Sequence, residues 1–154
     1  MTPRPLAAAD IVTLAPALAV MDPWRRLGFT AVGLAAYLGR EDAALTRMVI
    51  ELDGRPAAAL ALRRPWLRGP YVELLAVLPV AQGRGLGRAL VNWAAAQGGG
   101  NLWACVSAFN EPARAFYARA GFVEVAALSD LVAEGADEIL LRRRLDRYCA
   151  PAAR

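Results

Sequence analysis

The stretch VAQGRGLGRALVNWAAAQG, residues 80–98, places three glycines at alternate positions where a strand gives way to a helix. The glycines are residues 83, 85 and 87, and a helical spacing of apolar residues follows from Leu86. The first N–H groups of a helix have no partners within the helix, and they lie at the positive end of its dipole. Glycines leave this backbone open to a ligand, so the segment predicts a phosphate or pyrophosphate site.

Two common nucleotide-binding loops do not fit this segment. A Walker loop needs Gly-Lys-Ser/Thr, and the chain contains no lysine. A Rossmann loop reads G-x-G-x-x-G after the first strand, whereas this segment reads G-x-G-x-G after the fourth predicted strand. Gln82 and Arg84 add donors to the loop, and Arg88 adds a positive charge in the first helical turn.

Length, composition and charge predict one cytoplasmic domain, residues 1–148, followed by a short tail, residues 149–154. The chain has 154 residues, of which 57% are hydrophobic, and a net charge of +4. Two cysteines do not make a disulfide framework, and the absence of histidine removes the commonest metal ligand, so no metal site is predicted. Neither nucleic-acid binding nor a membrane segment is expected from the mild charge and the short apolar runs.

The order of predicted elements is β-α-α-β-β-β-α-β-α-β-β, which indicates the α/β class. Pro16 is expected to kink or weaken the first helix, and Thr30 and Asn110 are expected to cap the second and fourth helices. The predicted helices span residues 11–21, 30–38, about 86–97 and 111–120, and the predicted strands span residues 1–6, 45–52, 57–64, 71–78, 102–108, 122–128 and 137–145, with a loop at residues 129–136 between the last two.

Two segments together resemble the GNAT superfamily of N-acetyltransferases. QGRGLG, residues 82–87, is similar to its Q/R-x-x-G-x-G/A pyrophosphate loop. NEPARAFYARAGF, residues 110–122, is similar to its N-x-x-A-x-x-x-Y-x-x-x-G-F segment. Each motif alone is moderately specific, but both occur here in the family's order, and the element order resembles the family over nearly the whole chain. The matching positions of the second motif are Asn110, Ala113, Tyr117, Gly121 and Phe122.

The resemblance implies a mixed, mostly antiparallel central sheet with about four helices, whose fourth and fifth strands splay apart to admit acetyl-CoA. The pantetheine arm would pair with the fourth strand and contact Asn110, and the pyrophosphate would lie on the glycine loop. The cofactor-binding residues expected on this basis are Leu75, Ala76, Val77, Gln82, Gly83, Arg84, Gly85, Leu86, Gly87, Arg88, Asn110 and Tyr117.

The resemblance also implies acetyl transfer to a primary amine, a small molecule or a peptide, by direct attack in a ternary complex. Tyr117 matches the family's general-acid position and would protonate the leaving thiolate. Glu73 is the candidate base, because strand alternation predicts that it faces the same side as Leu75 and Val77. A pairing of Glu73 with an arginine is an equal alternative. The base of the histone-acetylating branch corresponds to Tyr71, two residues earlier.

Other positions leave the acceptor open. In the ribosomal-protein N-terminal acetyltransferase branch the base is a glutamate on the fifth strand, and the matching position here is Cys105, which we interpret as a core residue. Trp24 could form an aromatic wall of the acceptor site or anchor the core. Asp137 and Glu138 open the final strand and could hold a cationic amine or simply lie at a strand end. A homodimer is expected from the resemblance. The alternative to an enzyme is a non-catalytic acyl-CoA-binding sensor or interaction module, motivated by the uncertain base.

Overall fold

Residues 1–145, the part of the chain that the computed structural model describes, form four α-helices and seven strands. This order confirms the predicted α/β class and element sequence. The tail at residues 149–154 and Cys149 lie outside the described residues. The elements are β1 (Arg4–Pro5), α1 (Ala8–Ala19), α2 (Ala31–Gly39), β2 (Leu45–Leu52), β3 (Arg55–Trp66), β4 (Gly69–Val77), α3 (Leu86–Ala96), β5 (Asn101–Ser107), α4 (Glu111–Arg119), β6 (Val123–Ala133) and β7 (Ala136–Arg144).

The strands form one mixed sheet in the order β1-β2-β3-β4-β5-β7-β6. Every neighbouring pair is antiparallel except β4 and β5, which are parallel. Helices cover both faces. Leu14 and Leu18 of α1 pack with Leu34 of α2 over one face, and Leu86 and Leu90 of α3 pack over the other. This three-layer arrangement buries the central strands on both sides, as their nearly continuous apolar sequences require.

The first two helices differ from the prediction mainly in how α1 begins. α1 starts at Ala8, three residues earlier than expected, because the Asp10 carboxylate accepts the Ala7 N–H at 2.8 Å and forms an ion pair with Arg4. The helix also continues through Pro16. The proline removes one backbone hydrogen bond, but it lies on the exposed side of the helix, and the neighbouring apolar residues stay buried. Thr30 caps α2 as predicted, with its hydroxyl accepting the Gly33 N–H at 3.0 Å.

The predicted loop at residues 129–136 is wrong. β6 continues to Ala133 and pairs there with Ala136, so the hairpin turn lies at residues 134–135. The pairing is irregular between Leu128 and Ala133, where Asp130 adopts a positive φ of 55°. The polar residues that suggested a loop therefore lie in an irregular part of a long edge hairpin.

Between two consecutive pairs with β3, β4 contains one extra residue, and β4 separates from β5 at the same point. Ala61 pairs with Leu74 and Leu62 pairs with Val72, which leaves Glu73 unpaired in a β-bulge. On the other edge, β4 pairs with β5 only at Tyr71–Trp103 and Val72–Ala104. The two strands diverge after Val72, which confirms the predicted splay.

None of the helices in residues 1–145 has the length and hydrophobicity needed to cross a lipid bilayer.

Gly69 fixes how closely β4 approaches β5, and its replacement should destabilise the fold. A Cβ at Gly69 would lie 1.9 Å from the Asn101 carbonyl oxygen, which is backbone and cannot rotate away. We expect Gly69→Ala to lower the free energy of unfolding by about 3 kcal/mol or more. Chemical denaturation monitored by circular dichroism measures the change.

The matched control is Gly39→Ala at the end of α2, where the new Cβ would meet only the tip of the Ile11 side chain at 3.3 Å. This side chain can rotate, and alanine favours the helix, so we expect a change of less than about 1 kcal/mol. Equal destabilisation by the two substitutions would contradict the close approach at Gly69.

Candidate functional site

A cleft of about 530 Å³ opens where β4 and β5 diverge. It lies between β4, the glycine loop at the start of α3, and α4. Every cofactor-binding residue predicted from the sequence lines it except Arg84, which is exposed. The predicted residues that line it are Leu75, Ala76, Val77, Gln82, Gly83, Gly85, Leu86, Gly87, Arg88, Asn110 and Tyr117.

The three glycines of the loop serve two different purposes. Gly83 and Gly85 have φ values of 75° and 78°, the left-handed conformation that side chains disfavour, and a Cβ on either would meet no atom within 4 Å. These two shape the turn and leave the space above it open. Gly87 lies inside α3, where a Cβ would meet the Phe116 ring at 3.2 Å. Gly87 therefore lets α3 approach α4.

The N-terminal end of α3 offers a site for an anion. Gly85 is the N-cap residue and has no side chain to cap the helix, so the first N–H groups of the helix face the cleft without a side-chain partner. Arg88 lines the cleft beside them, and Arg119 at the end of α4 lines its other side. Arg119 was not predicted, because nothing in its spacing distinguishes it from a solvated arginine. Gln82 donates a hydrogen bond to the Val77 carbonyl at 3.2 Å and so fixes the loop against β4.

A second cavity of about 180 Å³ adjoins the cleft. Its walls combine apolar side chains with polar and charged groups, and the apolar part includes Leu27 and Phe29 from the loop between α1 and α2 and Leu131 and Val132 from β6. The residues that line both cavities are Pro23, Trp24, Leu75, Asn110, Ala113 and Tyr117. The two cavities therefore meet at one place, between β4 and the first turns of α4.

Tyr117 lies at this junction. Its side chain is 6% exposed and stands edge-on between the rings of Phe116 and Phe122. Burial raises the pKa of Tyr117, and the nearby Cys105 raises it further. A phenol with a raised pKa is fully protonated at neutral pH, as a general acid must be before the reaction, but it is also a weaker acid than an exposed tyrosine. Asn110 begins the same helix, and its side-chain oxygen accepts the Ala113 N–H at 3.3 Å, which confirms the predicted cap.

Glu73 faces α2 and not the side of Leu75 and Val77, so the alternation predicted from the sequence is wrong at this position. The Tyr37 hydroxyl donates to its carboxylate at 2.9 Å, and Arg63 forms an ion pair with it. Leu75 and Val77 instead pack against the core under α3 and α4. The extra residue in β4 interrupts the alternation of side chains, because a bulge turns two successive residues toward one face.

The environment of Glu73 also argues against the predicted base role. Burial raises the pKa of Glu73, but the hydrogen bonds from Arg63 and Tyr37 outweigh burial and hold the pKa below its usual range. Such a carboxylate stays ionised at neutral pH and has little affinity for a proton. Glu73 still lines the smaller cavity, so its carboxylate faces any ligand that binds there.

Cys105 also lines the smaller cavity, hydrogen-bonded to Tyr71. Burial raises the pKa of the Cys105 thiol, the Tyr71 hydrogen bond lowers it, and Glu138 raises it again, with a net rise. A thiol with a raised pKa is a poor nucleophile, in agreement with the interpretation of Cys105 as a core residue.

Glu138 is a functional candidate for which the sequence left two interpretations open, an amine contact or a plain strand end. It lines the smaller cavity, is 6% exposed, and pairs across the sheet with Ser107. The Ser107 hydroxyl donates to its carboxylate at 2.6 Å. Burial raises the pKa of Glu138, and the hydrogen bond from Ser107 offsets only part of the rise. Its neighbour Asp137 is exposed, so the two adjacent carboxylates have different surroundings.

The comparison with protein-family models identifies the family. The model of the acetyltransferase (GNAT) family matches residues 13–122, which is most of the chain. The chain belongs to the GNAT acetyltransferase family. The GNAT enzymes are acyltransferases that use acetyl-CoA as the acetyl donor, so the predicted class of enzyme and the predicted cofactor are confirmed.

Solved structures of GNAT proteins share this fold. A GNAT-family protein from Desulfovibrio desulfuricans is 22% identical with a TM-score of 0.74, and the match covers 93% of this chain and 98% of that one. The ribosomal-protein-S18-alanine N-acetyltransferase of Escherichia coli is 21% identical with a TM-score of 0.72, covering 99% of each chain. A Bacillus anthracis protein solved in complex with acetyl coenzyme A is 18% identical with a TM-score of 0.60, covering 69% and 65%. The comparison with curated protein sequences gives no match.

The larger cleft of this GNAT enzyme fits acetyl-CoA. The open space above Gly83 and Gly85 and the uncapped N–H groups of α3 suit the pyrophosphate, with Arg88 and Arg119 as counter-charges. The edge of β4 beyond Val72 has no strand partner, and an extended chain can pair with such an edge.

A negative charge at Gly85 should weaken the binding of acetyl-CoA. We expect Gly85→Glu to raise the Kd for acetyl-CoA at least about tenfold, or about 1.4 kcal/mol, because a carboxylate would repel the pyrophosphate at the helix terminus. Isothermal titration calorimetry measures the affinity.

Gly54→Glu is the matched control for Gly85→Glu. Gly54 has nearly the same backbone, with a φ of 73° and no atom within 4 Å of a Cβ, but it lies in the β2–β3 turn away from the cleft. This variant should bind acetyl-CoA as the unaltered enzyme does. Comparable losses of affinity in both variants would show that backbone strain, not charge at the helix terminus, is responsible.

Proposed function

We propose that this GNAT enzyme transfers the acetyl group of acetyl-CoA to a compact cationic primary amine, which attacks directly from the smaller cavity. The observation that carries the proposal is the position of Tyr117 where the two cavities meet. In this arrangement the donor occupies the cleft under α3 and α4, the acceptor occupies the cavity under the α1–α2 loop and β6, and a proton donor stands between them.

The lining of the smaller cavity favours a cationic acceptor with a small apolar body. Its carboxylates are Glu73 and Glu138, and within residues 1–145 no arginine lines it. Enclosure in a cavity strengthens the attraction between a cation and a carboxylate, because the local dielectric is lower than in water. An acceptor with its own carboxylate would be repelled. The volume of about 180 Å³ suits a small side chain or a small molecule.

Trp24 contributes to both cavities and to the core. It packs against the core under α1 and α2, and it lines the cleft and the smaller cavity. In the same loop, the Arg26 guanidinium lies 4.0 Å from the centre of the Phe109 ring, which follows β5. We propose that Trp24 contacts the acceptor as well as anchoring the loop, while the Arg26–Phe109 contact holds the loop across the site.

Different residues of the chain serve different steps of the reaction. Bound acetyl-CoA supplies the thioester that the amine attacks. Free backbone N–H groups on the β4 edge near Val77 can donate to the thioester oxygen as it becomes negative. Tyr117 gives its proton to the departing sulfur, and the rings of Phe116 and Phe122 hold its phenol in place. Arg63 compensates the charge of Glu73, so the attraction for the cationic acceptor comes mainly from Glu138, which no arginine in residues 1–145 pairs with.

The remaining predictions about location and assembly stay proposals. The free thiol of Cys105 agrees with a reducing compartment such as the cytoplasm. For the predicted homodimer, the exposed edge strand β6, with Val123 and Val125 on its surface, is the face to test.

Removal of the Tyr117 hydroxyl should slow the reaction without loss of cofactor. We expect Tyr117→Phe to lower kcat about a hundredfold, because the leaving thiolate loses its proton donor, while the Kd for acetyl-CoA stays within about twofold. Thiol release measures kcat, and calorimetry measures the Kd. An unchanged kcat would remove the acid role from Tyr117.

The charge of the acceptor should decide which amines react. Benzylamine and 4-(aminomethyl)benzoate carry the same amine and ring, but the second also carries a carboxylate. We expect kcat/KM for benzylamine to be at least about tenfold higher, because the Glu138 carboxylate, which no arginine in residues 1–145 pairs with, repels the carboxylate of the second amine. Equal values would contradict the proposed selection. Binding of acetyl-CoA with no thiol release on any amine would instead favour a sensor.

A further inference from the structure

We propose that Glu138, held by Ser107, binds the ammonium group of the acceptor and takes its proton before attack. The inference rests on the proposed acetyl transfer to an amine and adds the residue that prepares the amine. An ammonium ion has no lone pair, so an amine that enters as a cation must lose a proton before it can attack.

The strand pairing brings Glu138 into the site. β5 and β7 are distant in sequence but adjacent in the sheet, and their register places Glu138 directly opposite Ser107. Ser107 lies two residues after Cys105 on β5, so both side chains face the same side of the sheet. Cys105 in turn lies close enough to Tyr117 to raise its pKa. Glu138 and Tyr117 thus reach the same cavity from different walls.

The Glu138 carboxylate is buried and only half satisfied. One oxygen accepts the Ser107 hydroxyl at 2.6 Å, and within residues 1–145 the second oxygen has no hydrogen-bond donor. No arginine in the described part of the chain forms an ion pair with it. A buried carboxylate with a free oxygen and no cation lacks the counter-charge that burial ordinarily requires. An ammonium group in the cavity supplies both a hydrogen-bond donor and that charge.

Among the titratable groups that line the described cavity, Glu138 is the only suitable base. From β4 come Tyr71 and Glu73, from β5 comes Cys105, and from α4 comes Tyr117. Hydrogen bonds from neighbouring side chains hold the pKa of Glu73 low, so this carboxylate binds a proton weakly. Burial raises the pKa values of the tyrosines and the thiol, so these groups already carry their protons and cannot accept another.

The other walls add no charge. The α1–α2 loop contributes Trp24, Leu27 and Phe29, and β6 contributes Leu131 and Val132. Burial raises the pKa of Glu138. The carboxylate therefore has a greater affinity for a proton than an exposed glutamate has, and it loses its charge, and with it its base function, as the pH falls through its raised pKa.

Each acetyl transfer frees one proton in total. The free oxygen of Glu138 takes one proton from the ammonium group, and the amine nitrogen gains a lone pair. The nitrogen forms a bond to the acetyl carbon as the carbon–sulfur bond breaks, and the Tyr117 phenol gives its proton to the sulfur. The second proton leaving the nitrogen restores the Tyr117 phenol, and Glu138 then releases its proton to water.

Replacement of Glu138 by its neutral isostere tests the assignment. Glu138→Gln keeps the volume and can still accept the Ser107 hydroxyl. With benzylamine as the probe, we expect kcat/KM to fall about a hundredfold near pH 7. The loss should shrink toward about pH 9, because solution then supplies more neutral amine. The Kd for acetyl-CoA and the Tm should stay unchanged. Asp137→Asn, an exposed neighbour on β7, should behave as the unaltered enzyme does.

Two outcomes of the rate measurement would overturn the assignment. The first is kcat/KM of Glu138→Gln within about twofold of the unaltered enzyme at every pH. The second is a loss that is the same at every pH and accompanied by weaker acetyl-CoA binding or a lower Tm, since this pattern marks a structural role.

Direct binding separates this inference from the proposed function. If the unaltered enzyme releases no thiol with benzylamine, the proposed acetyl transfer to a compact amine fails. Calorimetric titration of benzylamine into the CoA-saturated enzyme then tests Glu138 separately. Binding that is weakened at least about tenfold by Glu138→Gln supports the carboxylate as the ammonium site. Binding unaffected by the substitution, or no binding at all, overturns it.

Discussion

The unpaired residue in β4 determines how the rest of the site is built. Glu73 has no partner in β3, and the pairing of β4 with β5 ends at the same point, after Val72. The divergence leaves the edge of β4 free for an extended ligand and makes room between the strands for Tyr117 to meet both cavities. The same bulge turns Glu73 toward α2, where Arg63 and Tyr37 hold it. The bulge and the opening between the strands therefore lie at the same place in the sheet.

Two glutamates in one cavity receive opposite properties from their neighbours. Glu73 accepts hydrogen bonds from Arg63 and Tyr37 and remains an anion, whereas within residues 1–145 Glu138 accepts only from the Ser107 hydroxyl and becomes a better proton acceptor. Enzymes give two carboxyl groups different roles near neutral pH by placing them in environments that move their pKa values apart. We infer that Glu138 binds and deprotonates the acceptor, while Glu73 stays paired with Arg63.

The sequence was most informative where local chemistry decides the structure. Glycines before a helix, the caps Thr30 and Asn110, and the spacing of apolar residues depend on neighbouring residues, and the elements they predicted are present. The sequence was least informative where distant strands meet. The bulge at Glu73 is defined by its register with β3, and period-two alternation therefore placed its side chain on the wrong face.

The site of Glu138 shows the same limit. Its partner Ser107 is 31 residues away, and only the β5–β7 pairing brings them together. Gly87 is a further case, because its motif position suggested ligand contact, whereas its lack of a side chain also admits Phe116 of another helix. Residues whose role depends on tertiary pairing look ordinary in the sequence, since neither periodicity nor spacing records the partner strand.

The proposed reaction requires that the gap after the β4 bulge admit the donor and deliver its acetyl group to Tyr117. A crystal structure of the enzyme with acetyl-CoA tests this requirement most directly. We predict the pyrophosphate on the N–H groups of Leu86 and Gly87, the pantetheine arm along β4 at Leu75 and Val77, and the sulfur beside the Tyr117 hydroxyl. An arm bound outside the gap between β4 and β5, or a sulfur out of reach of Tyr117, would contradict the proposed reaction.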